Sequence, residues 1–591
     1  MENVTLTIDG MQVTVPNGTT VLEAARSVGI GIPTLCYLKD VHAIGACRVC
    51  LVEIEKARGL QASCVYPAAE GIVVKTNTPR VRAARRTVVE LMLSAHRQEC
   101  TTCGRSLNCE LQQVAKQLGI QQSRFEGEMP PSLVDTSSPA IVRDSSKCIL
   151  CRRCVTVCQQ VQGVGALFTM ERGFDTVVTP ALKKDLNDVA CVLCGQCVSV
   201  CPVNALHERD STEAVWKALA DPNKHVVVQT APAVRVAIGE EFGMAPGSRV
   251  TGKMVTALRA MGFDKVFDTD FTADLTILEE GNELLQRLQT GGTLPMITSC
   301  SPGWIKFIEH FYPDLLPHLS SCKSPQQMFG ALAKTYYADK IGVKPEDIYV
   351  VSIMPCTAKK FEAGRAEMTV NNGIPDIDAV LTTREAGKMI REMGLDFAKL
   401  PDGKFDDPLG ISTGAAVIFG ATGGVMEAAL RTVYEVVTGK TLENVDFMDV
   451  RGLEGVKEAT VKVGDLDVKV AVASGLSNAR KLMDKIAAGE ADYHFIEIMC
   501  CPGGCLGGGG QPIPTTDEVR KARMKGIYDE DANLPIRKSH ENPAVIALYE
   551  EFLGKPLGHK SHELLHTQYT KRKKYPVSEK TSDEIVEELV K

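Results

Sequence analysis

Residues 499–510 read MCCPGGCLGGGG, which places three cysteines and six glycines in twelve residues. The largely apolar run before them, residues 493–498, predicts a buried strand. Glycine lets the backbone adopt positive φ and approach a bulky object closely. Soft cysteine thiolates select iron–sulfur clusters, zinc or copper(I). The stretch therefore predicts a loop that holds a metal cluster at the end of a strand.

Two earlier stretches have the same form, an apolar run that ends in cysteine. Residues 294–304 read LPMITSCSPGW and contain Cys300, and residues 350–359 read VVSIMPCTAK and contain Cys356. Strands of an open α/β sheet present ligands at their carboxyl ends. We therefore expect three strand ends, far apart in sequence, to converge on one buried site.

Length and composition bound the rest of the chain. Its 591 residues indicate several domains, and 44% hydrophobic with 24% charged residues is typical of soluble globular proteins. The net charge of −7 gives no general basic face for nucleic acid, and no apolar run reaches the roughly 18 residues of a membrane span. The N-terminus alternates like a strand and does not resemble a signal peptide. We expect the 21 cysteines to be metal ligands in a reducing cytoplasm.

The N-terminal region predicts an iron–sulfur domain. Two alternating apolar runs joined at Asp9-Gly10 predict a β-hairpin, and a helix is expected from Thr20 to about Val28. Four cysteines follow with the spacing C-x10-C-x2-C-x13-C: Cys36, Cys47, Cys50 and Cys64. Plant-type 2Fe-2S ferredoxins also place three cysteines close together and a fourth at a distance, although their spacing differs. A zinc site is the alternative, and the hairpin–helix start favours 2Fe-2S.

The next two regions contain further ligand patterns. A predicted helix over 79–97 leads into the pattern H-x3-C-x2-C-x5-C, formed by His96, Cys100, Cys103 and Cys109. Zinc is chemically possible there, and a lone histidine near a helix end is more often a surface or core residue. Residues 138–209 then repeat C-x2-C-x2-C-x3-C, the two-cluster ferredoxin pattern in which each fourth cysteine serves the other cluster. The first predicted set is Cys148, Cys151, Cys154 and Cys201, and the second is Cys191, Cys194, Cys197 and Cys158.

The segments TSCSPGW (298–304), MPCTAKKFE (354–362) and EIMCCPGGCLGGGGQP (497–512) resemble the three signature segments of the FeFe hydrogenases. In that family four cysteines hold a 4Fe-4S cubane, and one of them bridges to a di-iron centre with CO, cyanide and a dithiolate; together these form the H-cluster. The resemblance covers essentially the whole chain, including the domains before the catalytic one, and the first two modules also resemble those of complex I. It implies a multidomain α+β and α/β protein with one 2Fe-2S cluster, three accessory 4Fe-4S clusters and the H-cluster.

The implied domains follow one another along the chain. They are a β-grasp 2Fe-2S ferredoxin-like domain (1–78), a 4Fe-4S domain with one-histidine three-cysteine ligation (79–125), a two-cluster ferredoxin domain (138–209), a large α/β catalytic domain (221–570) and a C-terminal tail (571–591). Strands of the catalytic domain are expected at 225–229, 294–298, 348–354, 377–381, 468–473 and 493–499, in a mixed or parallel sheet.

Matching the motifs residue by residue implies Cys356, Cys501 and Cys505 as cubane ligands, with Cys505 as the bridge. Cys500 has no counterpart in the family and is expected to be a packing residue, and Cys322 a core thiol. The family usually shows TSCCPGW, in which one cysteine ligates the cubane and its neighbour passes protons to the dithiolate. Matching by position would make Cys300 the proton relay and Ser301 the ligand. Because a neutral alcohol binds iron poorly, we expect Cys300 to be the ligand and Ser301 the relay.

Further residues match the family's proton path and the surroundings of its di-iron centre. Glu280, Glu283 and Arg287 fall on one helix face and join Ser320 in the path; an ordinary surface Glu–Arg pair is the alternative. Lys359 matches a lysine that hydrogen-bonds a cyanide ligand. Met354 and Met499 resemble the soft residues that pack round the di-iron site.

The resemblance implies reversible hydrogen oxidation and proton reduction in an anaerobic cytoplasm. Electrons would pass through the iron–sulfur clusters to ferredoxin, or to NAD(P) through flavin/NAD(P)-binding and thioredoxin-like 2Fe-2S subunits, because this chain has no dinucleotide fingerprint of its own. No nucleic-acid or membrane partner is expected. The alternatives are a non-catalytic electron-wire subunit, which would have no use for the three signature segments, and a hydrogenase-like sensor or assembly protein, against which the proton-path glutamates and the accessory clusters weigh.

Overall fold

The computed structural model describes residues 2–130, 132–370, 373–464 and 466–574. Most of the predicted tail, residues 575–591, lies outside the described residues. The strands are β1 Asn3–Ile8, β2 Met11–Pro16, β3 Leu51–Ile54, β4 Gln61–Ala62, β5 Val73–Lys75, β6 Val134–Asp135, β7 Ile141–Asp144, β8 Phe168–Met170, β9 Val177–Thr179, β10 Leu206–Glu208, β11 His225–Thr230, β12 Lys265–Asp268, β13 Met296–Ile297, β14 Ile348–Met354, β15 Thr369–Val370, β16 Ile374–Pro375, β17 Ala379–Thr382, β18 Val456–Val463, β19 Leu466–Ser474 and β20 Phe495–Met499.

The α-helices are interspersed with these strands. They are α1 Val21–Ser27, α2 Pro79–Ser94, α3 Glu110–Gln117, α4 Arg153–Thr156, α5 Gln196–Ser199, α6 Thr212–Leu219, α7 Thr251–Ala260, α8 Thr269–Thr290, α9 Pro302–Phe311, α10 Pro325–Leu332, α11 Ala338–Ile341, α12 Ala358–Ala363, α13 Thr383–Glu392, α14 Gly414–Val417, α15 Gly424–Thr438, α16 Leu476–Ala487, α17 Asp517–Asn533, α18 Pro543–Leu548 and α19 His559–Leu565. No helix among the described residues is both long and apolar enough to cross a bilayer.

The N-terminal sheet forms as the sequence predicts. Strands β1 and β2 pair antiparallel across Asp9-Gly10, where both residues have positive φ, and the sheet order is β2-β1-β5-β3-β4. Helix α1 begins after Thr20, whose hydroxyl accepts the N–H of Glu23 and so satisfies one of the free donors of the first turn. Helix α2 ends at Ser94, three residues before the predicted end, and leaves His96 in the loop that follows.

The catalytic domain contains two four-stranded sheets, whereas a single mixed or parallel sheet was expected. The first is parallel throughout, in the order β12-β11-β14-β17, and the second has the order β13-β20-β19-β18 with only β18 antiparallel. Strands β12 and β18 were not predicted. β18 was missed because charged side chains interrupt its apolar residues and much of it is exposed, so it has no apolar run.

The two sheets bring the predicted strand ends together. Strand β14 of the first sheet leads into Cys356, while β13 and β20 of the second lead into Cys300 and Cys500. The loops after all three strands line one cavity. The predicted convergence therefore occurs between two sheets rather than along the edge of one.

Candidate active site and electron-transfer sites

A cavity with a volume of about 90 Å³ lies where these three loops meet. The rest of the wall is formed by helices α8 and α10 and by two short 3-10 helices, Pro232–Val234 and Ile418–Gly420. The predicted site residues on the wall are Cys300, Ser301, Met354, Cys356, Lys359, Met499, Cys501 and Cys505. Cys500, which we expected only to pack, lines the same cavity.

The cavity thiols are free of disulfides and electrostatically coupled. Burial, together with the neighbouring Cys501, raises the pKa of Cys505 to about 12. Burial likewise raises the pKa of Cys356, with Cys501 and Cys505 as its nearest charged neighbours. Several buried thiols that cannot ionise without a cation are suited to an iron–sulfur cluster, since iron stabilises the thiolate form. The donor set therefore fits the cubane.

The glycine-rich loop packs backbone against backbone at the edge of the cavity. A Cβ atom on Gly508 would lie 2.1 Å from the carbonyl oxygen of Pro355, and one on Gly509 would lie 2.3 Å from that of Cys194. Gly503 and Gly504 have φ of +80° and +76°, values that side chains disfavour. The glycines are thus required both by conformation and by the close approach of two neighbouring loops.

Lys359 is held on the cavity wall by three acceptors. Its Nζ donates to Glu362 Oε2 at 2.8 Å, to Ser324 Oγ at 2.8 Å and to the carbonyl oxygen of Cys300 at 3.2 Å. Glu362 was not predicted, although it lies three residues along the same helix, α12, and is buried. The ion pair fixes a cation beside the thiols, where it favours negative charge in the cavity.

The predicted proton-path residues lie in series beside α8, and Glu283 is hydrogen-bonded to two of them. Arg287 donates to Glu283 Oε1 at 2.6 Å, and Ser320 Oγ donates to Glu283 Oε2 at 3.2 Å. The Ser320 hydroxyl also contacts Glu280, whose pKa burial raises to about 8. Glu280 is in turn the charged group that acts most strongly on the Cys300 thiol. These contacts disfavour the alternative of an ordinary surface pair, because both glutamates are buried.

A side branch of this network was missed. Ser321 donates its hydroxyl to Glu283 Oε2 at 3.0 Å and lies 2.8 Å from His566 Nδ1. His566 Nε2 lies 3.2 Å from Glu279 Oε2, which places a second buried carboxylate behind the first. His566 is 245 residues from Ser321, and no local pattern marks it. Cys322, the predicted core thiol, is buried with its sulfur 4.0 Å from Glu283 Oε2.

The predicted accessory sets are also brought together by the fold. One cavity is lined by Cys148, Cys151, Cys154 and Cys201, the set that exchanges its fourth cysteine. A second cavity is lined by His96, Cys100, Cys103 and Cys109. There His96 Nδ1 is buried with no hydrogen-bond partner among the described residues, and burial lowers the pKa of the ring. A neutral imidazole with an unused nitrogen fits a metal ligand.

The two remaining sets show the same clustering. The neighbouring thiols of Cys47 and Cys64 lower the pKa of Cys36, and Cys64 lowers that of Cys50, so the four thiols lie close together. Burial raises the pKa of Cys197, and its nearest charged neighbours are Cys194, Cys191 and Cys158. The fold thus assembles each predicted set, while the assignment of individual side chains to iron stays a prediction.

The loop of the second ferredoxin set touches the catalytic loops directly. Thr357 Oγ1 donates to the carbonyl oxygen of Leu193 at 2.7 Å, and Gln196 Nε2 donates to that of Gly507 at 2.8 Å. Between them Gly195 packs against Gly509, so closely that a Cβ on Gly195 would lie 3.0 Å from the Gly509 Cα. This contact brings an accessory cluster site next to the cavity.

Five family descriptions match successive parts of the chain. They are a 2Fe-2S iron–sulfur cluster binding domain (1–79), the NADH-ubiquinone oxidoreductase-G iron–sulfur binding region (85–124), a 4Fe-4S dicluster domain (143–205), the iron only hydrogenase large subunit, C-terminal domain (224–509) and the iron hydrogenase small subunit (517–572).

Relatives match over nearly the full length. The chain is 56% identical to the NADP-reducing hydrogenase subunit HndD of Solidesulfovibrio fructosivorans, over 97% of this chain and 100% of that protein. It is 44% identical to iron hydrogenase 1 of Clostridium pasteurianum, over 96% and 100%. A solved structure of the FeFe-hydrogenase HydA1 from Chlamydomonas reinhardtii matches with a TM-score of 0.56 and 46% identity, and covers 61% of this chain and 99% of that one. Together with the cavity and its thiols, these matches confirm the predicted family and cofactor types: the chain belongs to the iron-only, or FeFe, hydrogenases, as a large catalytic subunit with N-terminal iron–sulfur domains.

Proposed function

We propose that this hydrogenase is the catalytic subunit of an NAD(P)-linked complex, in which protons and electrons leave the active site by separate routes. The observation that carries the proposal is the arrangement round the cavity. A buried series of carboxyl and hydroxyl groups begins beside Cys300, and an accessory cluster loop touches Gly509 in the loop after β20. Hydrogen oxidation releases both particles, so each requires its own exit.

The cubane would be held by Cys356, Cys501 and Cys505 with a fourth ligand, and the H-cluster supplies the metal site at which hydrogen is split heterolytically. The chain's own residues then handle the proton. Ser320 has one hydroxyl proton and lies between two carboxyl groups, so one carboxyl must donate to it. Glu280 is suited to donate, because burial keeps its pKa at about 8 and the group protonated near neutral pH.

The outer end of the path is suited to proton exchange with solvent. Glu283 accepts from Ser320 on one oxygen and from Arg287 on the other. The Arg287 side chain is partly exposed, whereas Glu280 and Ser320 are fully enclosed. A proton can therefore pass between buried groups in series, each within hydrogen-bond reach of the next.

The electron exit passes from the second ferredoxin set to the first, and from there to the N-terminal domains. The set containing Cys194 touches the cavity loops. The set containing Cys151 is reached by His42 of the N-terminal domain, whose Nε2 lies 3.1 Å from the Cys151 carbonyl oxygen. Four accessory clusters in the domains 1–78, 79–125 and 138–209 would connect the cavity with the surface of the N-terminal domains.

The NAD(P) link is proposed from the similarity to the NADP-reducing subunit. This chain has no dinucleotide fingerprint, so flavin/NAD(P)-binding and thioredoxin-like 2Fe-2S subunits would complete the reaction in the cytoplasm. Ferredoxin is the alternative acceptor.

The test is to compare the purified chain with the complex isolated through an affinity tag on this chain from its native host. We expect both to oxidise hydrogen with viologen, and only the complex to reduce NAD(P)+. The proposal is overturned if the isolated chain reduces NAD(P)+ by itself, or if the tag recovers the chain alone and ferredoxin is its only protein-linked acceptor.

A further inference from the structure

Five cysteines line the catalytic cavity, one more than a four-iron cubane takes. Cys356, Cys501 and Cys505 supply three thiolates, which leaves Cys300, Cys500 and the hydroxyl of Ser301 as candidates for the fourth position. We propose that Cys500 is the fourth cubane ligand, and that Cys300, which matches the family's proton-relay position, is not a ligand. This inference rests on the hydrogenase assignment and is independent of the NAD(P) link.

The surroundings of Cys300 assign it to the proton side. Among charged groups, Glu280 acts most strongly on its thiol. The preceding residue, Ser299, donates its backbone N–H to the same Glu280 carboxyl group, and the carbonyl oxygen of Cys300 accepts from Lys359 Nζ at 3.2 Å. A thiol beside the first carboxyl of the proton path can exchange a proton with it. A thiolate bound to iron could not serve that purpose.

Cys500 lies on the side of the cavity where the other ligands are. It is buried, and its thiol lies beside that of Cys501 and beside that of Cys194, a member of the second ferredoxin set. Strand β20 ends at Met499 and the backbone bends at Cys500 and Cys501. The two neighbouring side chains are therefore not forced to opposite faces, as they would be within a strand, and both can reach one cluster.

The structure makes room for a sulfur atom at this position. A Cβ on Gly303 would lie 2.6 Å from Cys500 Sγ, closer than packed atoms approach. Gly303 is the second residue of α9, directly after Ser301 and Pro302. The absence of a side chain there allows the Cys500 thiol to lie against the start of this helix.

Ser301 has a structural role that explains its hydroxyl. The backbone N–H of Cys500 donates to Ser301 Oγ at 3.3 Å, across 199 residues of sequence. Compared with the usual TSCCPGW segment, this chain lacks a cysteine at position 301 and has an unmatched one at position 500, and the two positions are in contact. The thiol that the family usually has at position 301 is thus replaced in this chain by the thiol of the contacting residue, Cys500. Our sequence-based assignment gave the ligand's role to Cys300 because this neighbour relation is invisible in the sequence.

The experiment uses the full chain produced without the enzymes that build the di-iron centre, so that only four-iron and two-iron clusters assemble. Iron content and the EPR spectrum of the reduced protein are measured for Cys500→Ala, Cys300→Ala and the double variant Ser301→Cys/Cys500→Ala. Cys197→Ala, which removes an accessory ligand, provides the reference spectrum for loss of the neighbouring cluster. Circular dichroism verifies that each variant is folded.

We expect Cys500→Ala to lose about four irons per chain, the content of one cubane, while it keeps the accessory signal that Cys197→Ala loses. Cys300→Ala should keep all its iron. The double variant should regain the lost iron, because it returns the thiol to position 301. The proposal is overturned if Cys500→Ala keeps the cubane, if Cys300→Ala loses it, or if the double variant fails to restore it. None of these readouts depends on hydrogen turnover or on an NAD(P)-binding partner.

Discussion

The electron side and the proton side of the cavity are built in different ways. On the electron side, the backbone of Gly509 packs against the backbone of Cys194 and Gly195. Two hydrogen bonds from polar side chains to backbone carbonyls connect the ferredoxin loop with the catalytic loops. On the proton side, buried side chains of α8 and of the segment before α10 lie in series: Arg287 and Ser320 donate hydrogen bonds to Glu283, and Ser320 lies beside Glu280. The difference follows from what each side carries. An electron can tunnel through any close packing, whereas a proton needs a donor and an acceptor at every step.

This contrast predicts that single substitutions act differently on the two sides. Changing one polar atom should break the proton side and leave electron transfer intact. Changing the closeness of packing should impair the electron side while the chemistry at the cavity continues. Exchange between H2 and D2O separates the two cases, since it requires heterolysis and proton transfer but no electron exit.

The largest effect is expected for Glu280→Gln. Glutamine keeps the size of the side chain but cannot release a proton, and Glu280 is the first carboxyl beside Cys300. Acid–base groups contribute roughly 100- to 10,000-fold, and we expect hydrogen evolution and H2/D2O exchange to fall together by that order. CO and cyanide infrared bands should be unchanged. A loss of less than about tenfold, with intact bands, would contradict the assigned path.

The next effect is expected for Gly509→Ala on the electron side. The new methyl group would meet the Cys194 carbonyl oxygen at 2.3 Å and push the two loops apart. We expect viologen-linked turnover to fall while H2/D2O exchange is largely kept. Gly364→Ala is the matched control, because its Cβ would lie 3.7 Å from its nearest neighbour, an ordinary contact. Equal losses of both activities in Gly509→Ala would show that the contact supports the active site itself.

The sequence was informative about the two sides to different degrees. The accessory cluster sites on the electron side could be predicted from cysteine runs of fixed spacing, because most ligands of one cluster are local in sequence. On the proton side, the single helix face of Glu280, Glu283 and Arg287 could be predicted, but His566 and Glu279 could not, since they join the network only through folding. The contact of Ser301 with Cys500 was hidden for the same reason, as was the division of the strands into two sheets. The domain boundaries and individual ligands stay predictions.

A smaller effect concerns pH. Burial raises the pKa of Glu280 to about 8, so the group is protonated below that value and ionised above it. When hydrogen is evolved, protons move inward and Glu280 must be protonated to deliver them; the rate should therefore fall as the pH rises through about 8. When hydrogen is oxidised, the group must accept a proton, and the dependence should be reversed. The measurement is the viologen-linked rate in each direction between pH 6 and pH 10. If the same change of rate near pH 8 persists in Glu280→Gln, it is caused by another group.

The smallest expected effect distinguishes two adjacent serines. Ser320 and Ser321 both donate a hydroxyl to Glu283 Oε2, at 3.2 Å and 3.0 Å, but only Ser320 also contacts Glu280. Ser320→Ala removes the link between the two carboxyl groups and should slow hydrogen evolution at least about tenfold. Ser321→Ala removes one hydrogen bond from Glu283 and one from His566, and leaves the main line intact.

A hydrogen bond contributes about 1 kcal/mol, which corresponds to roughly a fivefold effect; because Ser321→Ala leaves the link between Glu280 and Glu283 intact, it should slow the enzyme less than Ser320→Ala. The comparison of rates in the two variants, with iron content and infrared bands verified as equal, isolates the proton line from the general polarity around Glu283. If Ser321→Ala is the slower enzyme, protons pass through His566 and Glu279 instead. The exit would then open near Tyr549, whose hydroxyl donates to Glu279 Oε1 at 2.6 Å, and Tyr549→Phe should slow the enzyme further.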